Sequence, residues 1–113
     1  MPQYAILLNS PAPADPMVLP PEEMEAHMRY ANQIEELGGK LNAPQALQPS
    51  TTATSIRGDL VTDGPFIESK EVLAGFFILD ARDLDHALDI AKRCPATWRG
   101  GVEVRPLLAA PEA

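Results

Sequence analysis

Cysteine, histidine and aromatic side chains are scarce in this chain, and the scarcity narrows its chemistry before any motif is considered. Cys94 is the one cysteine, so no intrachain disulfide can form. The two histidines, His27 and His86, stand far apart and far from Cys94, without the spacing of a metal site; no metal is expected. Cations are also few: Lys and Arg number 9 against 16 Asp and Glu, for a net charge of −7. Such a chain repels a phosphate backbone and an anionic bilayer surface, so neither nucleic acid nor membrane is an expected partner. No apolar run approaches the roughly 20 residues that cross a bilayer. The opening MPQYAILLNSP lacks the basic lead and long apolar stretch of a signal peptide, and the expected location is cytoplasmic. No glycine-rich phosphate loop occurs, since Gly38-Gly39 and Gly100-Gly101 read as a helix stop and a loop; no cofactor is expected.

What is present suffices for one domain. The chain has 113 residues, 45% of them apolar, and residues 109–113 read as a frayed tail. Tyr4 to Leu8 is an apolar run of strand length, ended by Asn9-Ser10-Pro11. Five prolines between residues 10 and 21 make that stretch an irregular loop. A first helix is predicted over Glu22 to Leu37, with its apolar stripe at Met24, Met28, Ala31, Ile34 and Leu37. Prolines and acids at its start suit the helix dipole, and Gly38-Gly39 stops it.

Lys40 to Gln48 is an expected strand that Pro44 consigns to a sheet edge or a bend. Residues 52–62 read as a hairpin turning at Gly58-Asp59, followed by a tight turn at Asp63-Gly64-Pro65-Phe66 and a polar connection over 67–72. Leu73 to Leu79 is a strong strand. Asp83 is an N-cap for a second helix with the stripe Leu84, Ala87, Leu88 and Ala91, ended by Cys94-Pro95. A loop holding Trp98 leads to the last strand, Val102 to Leu107.

The order strand, helix, strands, helix, strand defines an α+β class. Right-handed crossovers then place both helices on one face of an antiparallel sheet, a ferredoxin-like arrangement. The strongest strands are apolar on both faces, as in Ile6 and Leu8 against Ala5 and Leu7, or Phe77 against Phe76. Two helices cover one face; a second copy of the chain is the simplest cover for the other, and a homodimer is expected.

The stretch from Val61 to Phe76, VTDGPFIESKEVLAGF, closely resembles the signature of the DGPF subgroup of the YCII-related family. Agreement extends to Leu19–Met24, Ala81–Ala87 and Gly101–Pro106, and so covers nearly the whole chain. The resemblance implies a dimeric α/β-barrel assembly of ferredoxin-like subunits. It also implies an active site of one histidine and one aspartate, in a family whose relatives include lactone-processing dehalogenases. Asp63 matches the family's aspartate, and His27 on the first helix is the histidine to pair with it.

Each candidate has a plainer reading beside the chemical one. The Asp63 carboxylate either caps backbone N–H groups of its turn or serves as a general base or an orienter of a histidine. His27 borders the helix stripe, as a half-buried packing residue or as an acid–base group. Lys70 and Arg57 are candidate cations for a small anionic ligand, with a solvated loop as the alternative for Lys70. Tyr30 is a candidate for the pocket rim. Phe66 is expected to anchor its turn in the core, His86 to be exposed, and Cys94 to be no nucleophile for want of a base. The expected site lies between the first helix and the Asp63 turn. Two functions follow: a small-molecule enzyme using acid–base or lactone-type chemistry, or a non-catalytic ligand-binding or regulatory module.

Overall fold

The structure, a computed structural model, describes residues 1–66 and 69–108; the tail at 109–113 lies outside them. Strand β1 (Gln3–Pro11) runs into a loop with one short 3-10 turn at Pro16–Val18, where the Asp15 carboxylate accepts the Met17 N–H at 2.9 Å. Helix α1 (Pro21–Glu36) begins on a proline and carries Glu22 and Glu23 in its first turn, where the helix dipole favours them. Gly38 ends it with φ +86°. The Gly39 N–H then reaches the Ile34 carbonyl at 3.0 Å and the Gly38 N–H that of Glu35, a Schellman cap that a β-carbon would strain.

Strands β2 (Lys40–Ala46) and β5 (Glu71–Asp80) flank the β3 (Thr54–Arg57) and β4 (Leu60–Asp63) hairpin in sequence. Helix α2 (Leu84–Lys92) and β6 (Gly101–Pro106) complete the chain. The main sheet has the order β2-β5-β1-β6 with every neighbour antiparallel, while β3 and β4 pair only with each other. Pro44 does fall in an edge strand, at a bulge where Ala43 takes φ +49°. The connections and order are those of a ferredoxin-like α+β fold with an inserted hairpin.

Both helices lie on one sheet face. Tyr4, Ile6, Phe77 and Leu79 point into a core shared with Tyr30 and Ile34 of α1 and Ala87 and Ile90 of α2. The Tyr30 hydroxyl joins the two helices by donating to the Ile90 carbonyl at 2.8 Å. Gly39 lets α2 come this close, since a β-carbon there would stand 2.8 Å from Ile90 Cδ1. On the opposite face Ala5, Leu7, Phe76 and Ile78 are cross-strand neighbours and stay half-buried.

The helix stripes differ from those the spacing predicts. In α1 the buried residues are Glu23, Ala26, Tyr30 and Ile34, with Met24 and Met28 exposed. Burying the tyrosine ring rotates the helix, and a salt bridge makes Glu23 tolerable inside. In α2 the buried set is His86, Ala87, Ile90 and Ala91, leaving Leu84 and Leu88 at the surface. His86, expected in solvent, is 6% exposed. Its Nδ1 accepts the Arg82 N–H at 3.0 Å and its Nε2 meets the Leu37 carbonyl at 2.7 Å. With Nδ1 as acceptor, Nε2–H donates, and the neutral ring ties the end of α1 to the start of α2.

Candidate functional site

Between α1, the sheet and the 10–19 loop lies a cleft of about 550 Å³. Its walls are largely apolar, with Leu8, Tyr30, Ile34, Leu41 and Phe77 prominent among them. The volume is that of an ordinary small-molecule pocket. The charged or titratable side chains in the lining are few: Asp15, Glu23, His27 and Arg99, besides the phenol of Tyr30 and the thiol of Cys94.

Glu23 is the anchor of that polar group. Its side chain is only 8% exposed, and its Oε2 receives Arg99 Nη2 at 2.7 Å. Arg99 follows the 3-10 turn at Pro95–Trp98, so the pair closes the loop before β6 over the first turn of α1. The close approach of that loop to β1 requires Gly100, whose β-carbon would collide with the Asn9 carbonyl. One helical turn after Glu23 comes His27, half-buried on the cleft wall. Burial holds its pKa below the ordinary histidine value, against the opposing pull of the Glu23 carboxylate. His27 is therefore a neutral imidazole at neutral pH, with a nitrogen lone pair able to take a proton. Deeper in, burial pushes the Tyr30 phenol up and the Cys94 thiol up to about 11, so both stay protonated.

Of the residues singled out in the sequence, the cleft gathers His27 and Tyr30. Tyr30 sits in the wall rather than at the rim, with its hydroxyl committed to Ile90. Arg57, Asp63 and Lys70 are exposed and outside the lining. The reason is topological. Asp63 ends β4, and the hairpin departs from the sheet instead of folding over α1, so one chain does not bring Asp63 to His27. The Asp63 carboxylate also makes no hydrogen bond to a described residue. Its turn is held instead by the Gly64 N–H to the Ala53 carbonyl, 2.7 Å, and by the Ser55 hydroxyl to the Gly64 carbonyl. Phe66, expected in the core, is 58% exposed, and the Arg57 guanidinium lies 4.4 Å from its ring centroid. Those two side chains cover each other because the hairpin has no core beneath it.

Sequence reasoning passed over Glu23 and Arg99. Glu23 reads as a dipole-favoured acid, although its place four residues before His27 was a usable signal. Nothing in the local sequence marks Arg99, 76 residues away, as its partner. Among the described residues no group of three or more His, Cys, Asp or Glu gathers as a metal site. No helix among them is long and apolar enough to cross a membrane.

A two-layer α+β domain with a cleft between helix and sheet is the class of protein defined so far. Comparison of the sequence with known families narrows it: residues 6–110 match the YCII-related domain, and the chain belongs to that family. A protein of Rhizobium meliloti described as uncharacterised is 40% identical over 97 residues, covering 76% of this chain and 77% of its own.

Proposed function

We propose that the cleft is a small-molecule site at which His27 acts as a general base. The supporting observation is a half-buried imidazole on the wall of an apolar cleft, one turn from a buried carboxylate, where burial lowers its pKa. The reaction class is proton transfer on a bound carbonyl compound. The test is a thermal-shift screen of small carbonyl compounds, followed by NMR of the best binder in D₂O. An acid–base enzyme exchanges the hydrogens next to the carbonyl for deuterium, and His27→Gln loses that exchange while still binding. A screen in which no compound stabilises the protein would sink the reading.

A second reading, a non-catalytic ligand-binding or regulatory module, has its own support. No hydrogen bond to a described residue orients the His27 ring, and general bases are usually held by one. Binding without exchange in D₂O would favour it.

A homodimer belongs to either reading. The half-buried Ala5, Leu7, Phe76 and Ile78 form a sheet face for a second copy, and the hairpin exposes Ile56, Leu60 and Val61. A partner laid there gives the dimeric α/β-barrel of the resemblance, and is the route by which Asp63, Arg57 or Lys70 would meet a ligand. The DGPF subgroup assignment rests on Asp63–Phe66 and its flanks. A cytoplasmic location suits a lone buried thiol such as Cys94.

A further inference from the structure

The charge inventory of the cleft says what kind of molecule it takes. Arg99 is the one permanent cation in its lining, and Glu23 already holds that guanidinium at 2.7 Å. The Asp15 carboxylate faces a backbone N–H of its own loop. His27 adds no charge at neutral pH, because burial disfavours the imidazolium. Among the described lining residues no uncompensated cation is left for a carboxylate or phosphate, and for an amine the one carboxylate without a cation, Asp15, sits where its hydrogen bond is solvent-exposed. Bringing either ion into the apolar interior would cost its hydration without a partner to replace it. The neutral hydrogen-bonding side chains of the lining are Ser10, Gln45 and His27, beside the Tyr30 hydroxyl already given to Ile90.

We propose that the cleft selects a neutral molecule with an apolar body and few hydrogen-bonding groups, such as a ketone, and that the Glu23–Arg99 pair sets this selection by cancelling the guanidinium charge. The proposal rests on the cleft being the ligand site. Arg57 and Lys70 lie outside the lining, so the selection concerns the cleft of one chain.

Three probes sharing one alkyl chain test it: 2-nonanone, nonanoate and nonylammonium, titrated into the ¹⁵N-labelled full-length chain and followed by amide shifts at Tyr30, Ile34 and Leu41. The neutral ketone is expected to bind about tenfold or more tighter than either ion, as loss of one compensated charge implies. Glu23→Gln keeps an oxygen acceptor for Arg99 but frees its charge, and nonanoate should gain about tenfold on the ketone. Arg99→Gln frees the Glu23 charge instead, and nonylammonium should gain in its place. These opposite shifts are not expected of a merely destabilised fold. Tighter binding of nonanoate than of ketone by the unaltered chain overturns the proposal while leaving the cleft reading intact. An unchanged ranking in both variants overturns the role of the ion pair. If none of the three probes moves the cleft amides, the cleft reading itself fails.

Discussion

A carboxylate as buried as that of Glu23 stays ionised at low cost only against a fixed cation. The pair is asymmetric, because Arg99 keeps half its side chain in water. Arg99→Gln strands a buried charge and should destabilise by about 3 kcal/mol, whereas Glu23→Gln leaves a guanidinium that water can solvate and should cost about 1 kcal/mol. Equal losses in urea melts would show that both side chains are equally hydrated. His27 sets a pH dependence. Its folded pKa lies below its unfolded one, so the unfolded chain takes up the proton first as pH falls. The stability it contributes is complete above the ordinary histidine pKa of about 6.5 and is lost as pH falls below that toward the folded value. Urea melts from pH 8 to pH 5 should therefore show a steeper loss for the unaltered chain than for His27→Gln. Parallel curves would place the imidazole in water.

At the scale of elements, the two histidines divide the work. His86 uses both ring nitrogens to join the end of α1 to the start of α2, so His86→Ala leaves a part-buried N–H and a part-buried carbonyl unanswered. A loss of about 2 kcal/mol is expected, with both helices affected in hydrogen exchange. A variant melting with the unaltered chain would mean that water replaces the ring. The β3–β4 hairpin is the opposite case. A two-stranded ribbon has little stability of its own, and its Phe66 contacts Arg57 from the exposed side. Phe66→Ala should cost below about 1 kcal/mol, the worth of an exposed cation–π contact. A loss of several kcal/mol in the isolated protein would mean that the ring is covered in solution, as a second copy would do.

The whole molecule is a flat body, 45 × 41 × 18 Å, with helices on one side and a half-buried apolar sheet on the other. For a chain of this size such a face is a large share of the interior it can make. Light scattering at micromolar concentration should give twice the 12.2 kDa chain mass. Leu7→Asp, opposite Phe76 at the middle of that face, should yield a folded monomer, because the helix-side core does not include Leu7. A monomeric unaltered chain would remove the dimer and leave Asp63 without a route to the cleft.

Local rules in the sequence determined the elements but not every end: β1 runs on through Asn9-Ser10-Pro11, which the sequence marks as a turn, because those residues pair with Leu73, Val72 and Glu71 at the start of β5. Apolar runs marked β1 and β5, Gly38-Gly39 and Cys94-Pro95 stopped the helices, Asp83 capped α2, and Gly58-Asp59 turned the hairpin. The Asp83 carboxylate does accept the His86 N–H at 2.8 Å. Element order and the right-handed crossover then led to the ferredoxin-like sheet. These signals act over a few residues or follow from chain handedness, so one sequence carries them. Which helix side faces inward was decided by packing: Tyr30 against Phe77 and Ile90 turned α1 until Glu23 went under and Met24 came out. The same holds for the site. His27 was visible as a residue type at the edge of a stripe, and Asp63 through a resemblance. The partnership of Glu23 with Arg99 and the separation of Asp63 from the cleft depend on where two distant loops come to rest. That is set by the sum of many weak contacts across the chain, and no spacing of residues records it.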